Sequence, residues 1–222
     1  MWKILLLILG LTAAARAERA DLLLYRVKEP ELPPYTSRIL VTDAFVRLDE
    51  GEGSTNGYTL YNRVSHTFYN VDPQEQTVLV LQPPRHQPET ETSKLQYRVT
   101  TDGEAPLVDG RRPLRIELMA EGRRCRLLQV LPDTLPRAMQ GLRELRAALA
   151  RLQSQGDPGE LSACQEANLV AMPELPYEHG LPLVDWRPDQ QQWLVDFREN
   201  LSVPDSLFEV PPLYERIVPP PL

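Results

Sequence analysis

The run Tyr58-Thr59-Leu60-Tyr61-Asn62-Arg63-Val64-Ser65-His66-Thr67-Phe68-Tyr69-Asn70-Val71-Asp72-Pro73-Gln74-Glu75-Gln76-Thr77-Val78-Leu79-Val80-Leu81 decides the fold. Its β-branched and aromatic segments are separated by Asn62–Ser65 and by Asp72–Glu75. Pro73 stands at the second position of a type I turn. Short β-rich segments joined by four-residue turns predict an antiparallel meander. Upstream, Leu22–Val27 reads as a strand ended by Pro30, Pro33 and Pro34, and Ser37–Leu48 as a second. In the latter Leu40, Ala44, Val46 and Leu48 share one parity, and Thr42 interrupts. Apolar residues on both parities predict a sheet covered on one face and partly covered on the other.

Downstream, the proline-rich segment 84–93 reads as a loop, and Lys94–Thr101 and Leu114–Val130 as further strands. The last pair turns at Ala120-Glu121-Gly122-Arg123. The period then changes. Leu142, Leu145, Leu149 and Leu152 are spaced three, four and three, which predicts an amphipathic helix over 136–155 stopped by Gly156. Asp157-Pro158-Gly159-Glu160 carries the residues of a second helix start, with Asp as N-cap and Glu completing a capping box. That helix is expected to end before Pro173, with Leu161, Cys164 and Asn168 on one face. Leu181–Trp186 and Gln192–Phe197 then flank Arg187-Pro188-Asp189-Gln190 as a hairpin. The chain closes on Leu207–Tyr214 and an extended Pro219-Pro220-Pro221 tail. Strands, a central helical segment and returning strands predict a single α+β domain: a mainly antiparallel sheet covered by helices from the middle of the chain.

The N-terminus reads as an address. Met1-Trp2-Lys3, the apolar run Ile4–Leu11 and Ala15-Arg16-Ala17 have the three-part form of a cleaved secretory signal, with cleavage after Ala17. Arg16 and Glu18 end the apolar stretch short of the roughly 20 residues a membrane span needs. Losing Lys3 and Arg16 with it takes the formal charge from −7 to −9. The expectation is an acidic protein of 18–222, periplasmic or secreted, with no membrane anchor after cleavage. A surface of that charge argues against general nucleic-acid binding, which needs cations for phosphates. In an oxidising compartment Cys125 and Cys164, the two cysteines of the chain, are expected to form a disulfide. That bridge would pin the helical segment to the sheet.

The order of these elements resembles an uncharacterised family of secreted bacterial proteins whose fold is similar to the lipoprotein carriers, the LolA-like half-barrels. The resemblance is carried by Tyr61-Asn62, Tyr69-Asn70-Val71-Asp72-Pro73, Thr77-Val78, Gly122-Arg123-Arg124-Cys125-Arg126, Gly180-Leu181-Pro182-Leu183 and Leu207-Phe208-Glu209-Val210-Pro211-Pro212-Leu213-Tyr214. It covers most of the mature chain; the 84–93 loop and the Arg-Leu helix depart from it. It implies a curved sheet wrapped over helices, with a gap able to take acyl chains, and it supplies no catalytic residue.

Motifs of catalysis are missing. There is no G-x-S-x-G elbow, no H-E-x-x-H and no glycine-rich phosphate cradle. With three His the chain has little material for a metal site or a proton relay, so no cofactor and no metal is expected. His66 is the best-placed histidine, read in a strand beside Thr67 and Phe68. Asp43 with Asp49, and Asp185 with Asp196, are the carboxylate pairs that acid–base chemistry would need. Arg123, Arg124 and Arg126, with Arg111, Arg112 and Arg115, form the densest charge, read as a solvated strand edge or as a contact for anionic headgroups or a partner. The function these features imply is a non-enzymatic binding protein holding a lipid, acyl chain or lipoprotein between sheet and helix. Trp186, Trp193, Phe68 and Tyr69 are the candidate binding residues. The alternative is a structural or regulatory envelope protein acting through protein contacts, its interior filled by its own Trp and Phe side chains.

Overall fold

Alternation along the first strand sets up both layers of the molecule. In the computed structural model, which describes residues 17–51, 54–85, 94–155 and 161–219, β1 (Ala17–Lys28) sends Leu23, Tyr25 and Val27 to one face. Ala20, Leu22 and Leu24 go to the other. Successive strand residues point to opposite faces, so an unbroken apolar run needs cover on both. Five strands complete the N-terminal meander: β2 (Tyr35–Val41), β3 (Phe45–Asp49), β4 (Tyr58–Asn62), β5 (Thr67–Asp72) and β6 (Thr77–Leu81). After β7 (Leu95–Thr101), β8 (Leu114–Ala120) and β9 (Arg123–Leu131) come helices α1 (Pro136–Gln153), α2 (Ala163–Glu166) and α3 (Leu175–Glu178). The chain then adds β10 (Leu181–Trp186), β11 (Gln191–Pro204) and β12 (Glu215–Ile217). Among the described residues these twelve strands form one open sheet in the order β12-β6-β5-β4-β3-β2-β1-β11-β10-β9-β8-β7. Every pairing is antiparallel except β12 with β6.

The two predicted turns hold. Asp72 Oδ1 accepts from the backbone N–H groups of Gln74 (2.8 Å) and Glu75 (3.1 Å) between β5 and β6. Glu121 and Gly122 both take positive φ, +50° and +76°, between β8 and β9. The Ser37–Leu48 strand does not hold. The chain reverses at Thr42, whose hydroxyl accepts from Ala44 (3.2 Å) and Phe45 (3.0 Å) while its own N–H reaches Phe45 O (2.8 Å). A threonine hydroxyl that satisfies turn N–H groups stabilises the bend. The reversal also breaks the parity count: Leu40 lies on one face and Val46 on the other.

α1 runs as its leucine spacing predicts. Leu142 and Leu145 are buried with Leu23, Tyr25, Val41, Val46, Tyr61 and Phe68, and Leu149 and Leu152 pack against the same cluster. At Gly141 the helix approaches the sheet closely. A Cβ there would stand 2.7 Å from Val41 Cγ1 and 3.3 Å from Val46 Cγ2, so only hydrogen fits between helix and sheet. The second helix differs from expectation. Asp157–Glu160 fall outside the described residues, and the described helix starts at Ala163 on a Ser162–Gln165 capping box. It continues as a π turn over Ala167–Ala171, before Pro173. Leu161 is half-exposed, whereas Asn168 is buried and donates to the carbonyls of Cys164 (2.7 Å) and Cys125 (3.3 Å). The Cys125–Cys164 disulfide ties this segment to β9, with Cα atoms 5.0 Å apart.

β8 and β9 are interior strands, so the arginine cluster is not an edge. Its members have separate tasks. Arg126 is buried in a bidentate pair with Asp185, Nε to Oδ1 at 2.8 Å, and its Nη2 donates to Oδ2. Arg111 donates to the carbonyls of Pro132 and Asp133, and Arg112 to those of Gly103 and Ala105. The C-terminus departs most from its reading. Residues after β11 cross the second face, and Glu215–Ile217, to which the sequence assigns no element, pair with β6 as β12. Phe208 stacks on Phe45 with ring centroids 5.9 Å apart, Arg47 Nη1 donates to Leu207 O (2.7 Å), and Tyr58 Oη donates to Glu209 O (3.1 Å). Of the proline tail, Pro219 alone is among the described residues.

Two measurements check this packing. Reducing the disulfide, which spans 39 residues, is expected to lower unfolding stability by about 4 kcal/mol on the chain-entropy model; intact-mass spectrometry of the protein purified without reductant will show both thiols oxidised. Gly141→Val is expected to shift the urea midpoint down by the equivalent of about 1–3 kcal/mol through overpacking.

Candidate functional site

The region between α1 and the sheet is filled with side chains. Val41, Val46, Tyr61, Phe68 and Leu81 form one cross-strand row beneath the helix. The Tyr61 and Phe68 rings lie 4.7 Å apart between centroids. Tyr25 crosses from β1 to β10 and donates to Pro182 O at 3.0 Å. Burial pushes its hydroxyl well above the usual tyrosine range, and Tyr177 and Asp185 add to the shift. Phe68 therefore belongs to the core, at 1% exposure. Tyr69, its neighbour in β5, faces the opposite side with Leu60 and Leu40. The structure does not bring these two together, nor either of them to the tryptophans.

His66 lies in the β4–β5 turn, not in a strand, at φ +53°. Its Nδ1 is 2.9 Å from the Tyr61 hydroxyl. Burial, with the Glu144 charge adding to it, raises the Tyr61 pKa to about 12. A shallow cavity of about 230 Å³ opens here, bordered by Tyr61, His66, Arg143, Glu144, Arg151 and Glu174. Its polarity runs against proton transfer. Arg63 holds Glu144 through Nε–Oε2 (2.7 Å) and Nη2–Oε1 (3.0 Å), which keeps that carboxyl below its ordinary range. A general acid–base carboxylate working near neutrality needs the opposite shift. The predicted carboxylate pairs are also engaged elsewhere: Asp49 by Arg38 and Arg47, Asp185 by Arg126.

The tryptophans open a different prospect. Trp186 and Trp193 sit on one face of the sheet, on two adjacent cross-strand rows. One row runs Thr100, Arg115, Gln129, Val184, Trp193, Arg26; the other runs Arg98, Glu117, Leu127, Trp186, Gln191, Lys28. This is the side to which β1 also sends Leu22 and Leu24, the side the C-terminal segment crosses farther along. On this half no described element covers it. Trp193 is 38% exposed, and Arg26, Lys28, Arg98 and Arg124 are exposed as well. The Arg124 guanidinium lies 5.5 Å from the Trp186 ring centroid. Glu117 takes Arg115 at 2.6 Å, and Asp102 accepts from Gln129 at 2.8 Å. Five cations and two carboxylates thus cluster about the tryptophans, and the Arg198–Asp196 pair (3.3 Å) follows on the rows toward Leu22. Arg26, Lys28 and Arg98 were not singled out from sequence; cations at alternate positions of predicted strands were the available signal.

No family model and no curated protein matches the chain. Among solved structures it is similar to an uncharacterized conserved protein from Thermus thermophilus, at 10% identity over 91% of each chain with a TM-score of 0.49. It is also similar to PNGF-II, at 10% identity over 90% of this chain and 31% of that one, with a TM-score of 0.43. Neither likeness carries an activity or a ligand across.

The Arg63–Glu144 pair gives a pH test. A depressed folded-state pKa stabilises above the unfolded value, about 4.3 for glutamate, and that stability is lost as pH falls through the folded value. Urea midpoints measured below pH 5 are expected to fall less steeply in Glu144→Gln than in the wild type, with the two curves parallel near pH 7.

Proposed function

We propose that this is an exported, non-catalytic binding protein that docks an acidic surface of a partner protein on the bare half of its second sheet face. The observation that carries the reading is Trp193, exposed between Arg26 and Val184 on the cation-rich half of a face whose other half is covered by the chain's own C-terminal segment. Tryptophan and arginine are the residues that most often anchor protein interfaces. A cationic patch on a chain of net charge −7 also orients the molecule toward an acidic surface. The secretory signal over 1–17 and the disulfide fit an oxidising compartment, periplasmic or extracellular. In this reading the sheet curves half-barrel fashion around α1, and the helix acts as packing for the interior. Carriage of a lipid or acyl chain would need an opening where Tyr25, Tyr61 and Phe68 now stand.

The test places a photo-crosslinking residue at position 193 in the exported protein and recovers the adduct from the native compartment. The partner is expected to be a protein with an acidic contact surface. Its affinity, measured with purified components, should fall at least tenfold, about 1.4 kcal/mol, in Trp193→Ala and in Arg124→Glu. It should not change in Val64→Ala, which alters an exposed residue in the β4–β5 turn. Unchanged affinity in the two face variants would overturn the proposal. So would adducts with lipid alone, together with Trp193-dependent binding to phosphatidylglycerol vesicles.

A further inference from the structure

A second concavity, of about 380 Å³, lies between the β10–β11 hairpin and the disulfide-anchored helical segment. It is bordered by Arg187, Asp189, Ser162, Gln165, Asn168 and Leu169. Asn168 Oδ1 accepts from Arg126 Nη1 at 3.4 Å, which connects this cleft to the buried Arg126–Asp185 pair. Charge behind the cleft is out of balance. Arg146 and Arg187 both feel the Asp185 charge, yet Arg126 occupies both Asp185 oxygens. Arg146 has the Tyr177 hydroxyl, not a carboxylate, as its hydrogen-bond partner. Arg187, with a side chain only 11% exposed, donates to Gln190 Oε1 and stands 3.8 Å from Asp189, whose own side chain is 63% exposed. Nε of Arg146 and Nε of Arg187 are both buried without a hydrogen-bond partner. Burial, with Arg126 and Arg146 adding to it, lowers the Arg187 pKa, the direction expected of a cation short of counter-charge.

Isolated charge in an interior is costly, and buried guanidinium groups normally have their donors satisfied. An anion in the cleft would supply what the protein does not. We propose that this cleft is an oxyanion site, taking a carboxylate or phosphate group of a small ligand on Arg187, with Arg126 and Arg146 providing the field behind it. Arg187 is suited to the contact because a guanidinium fork pairs with two oxygens of one oxyanion, which an ammonium does not. Asp189 at the mouth is the group the ligand displaces from Arg187. By strand alternation Asp185 faces the opposite side of the sheet from Trp186, so the site is separate from the partner-docking face and stands or falls independently of it.

The test titrates the full exported chain with inorganic phosphate and, separately, with succinate at constant ionic strength. It follows the Arg187 Nε–H resonance and the melting temperature. Saturable shifts are expected with at least one of the two, with affinity at least tenfold weaker in Arg187→Lys and tighter in Asp189→Asn. Arg187→Lys keeps the charge and serves if Arg187→Gln does not fold. Shifts no larger than those from equal chloride, or equal affinity in wild type and Arg187→Lys, would overturn the assignment. Phosphatidylglycerol vesicles form a third arm. An Arg187-dependent response to vesicles with none to phosphate or succinate would overturn the small-ligand assignment.

Discussion

The pairing of β1 with β11 holds the two halves of the molecule together. It runs from Ala17 opposite Pro204 to Lys28 opposite Gln191 and joins a meander built from the first part of the chain to strands made more than a hundred residues later. Without it β1–β6 with β12, and β7–β11, would be two smaller sheets. Such a contact has a large loop-closure cost and must be rewarded locally. Part of the reward is Asp21, 1% exposed, whose Oδ1 accepts from Asn200 N at 3.1 Å and whose Oδ2 accepts from Arg137 Nε at 3.1 Å. One buried carboxylate therefore ties β1, β11 and the first turn of α1 to one another, and Arg137 neutralises it. A buried charge satisfied this completely tolerates few alternative registers.

From that central strand the two faces of the sheet have different fates. The first is packed under α1 by large side chains in a cross-strand row, with Gly141 setting how near the helix comes. The second is divided. Toward β6 it is covered by Phe208 and its neighbours as the chain crosses back to form β12. Toward β7 it is left to solvent with two tryptophans and five cations. The burial of β1 itself records the division, since Leu22 is buried, Leu24 is half-buried, and Arg26 and Lys28 on the same side are exposed. A face that is covered where it is apolar and bare where it is cationic and aromatic has the composition of an interface, because a bare apolar surface of that size would invite indiscriminate association.

Arginine is used in three distinct ways in this chain. Arg126 and Arg137 are matched by buried carboxylates, Arg111 and Arg112 tie loops by donating to carbonyls, and Arg26, Arg98 and Arg124 are solvated. Arg146 and Arg187 fit none of these uses fully, since each has a buried Nε without a partner. Arg151, beside the His66 cavity, shares that feature, but Arg187 alone combines it with a pKa lowered by burial and by two neighbouring guanidinium groups.

Much of the local architecture was legible in the sequence, because it depends on interactions within a few residues. The Asp72-Pro73 turn, the Glu121-Gly122 turn, the Arg187–Gln190 hairpin and the leucine stripe of α1 all depend on backbone preference or on helical period. The Thr42 reversal was missed because alternation continues numerically through a turn that flips its sense. β12 was missed because three exposed residues carry no period, and their strand geometry comes wholly from the edge of β6. The candidate surfaces lie beyond any local signal: Trp193 pairs with Arg26, and Arg187 comes within the field of Arg126 and Arg146, only after distant strands find their register. The sequence by itself determined most of the strands and the long helix, through local period and turn chemistry, and which cysteines are available to join. Tertiary structure alone decided which face of each strand is covered, because cover is supplied by segments far away along the chain.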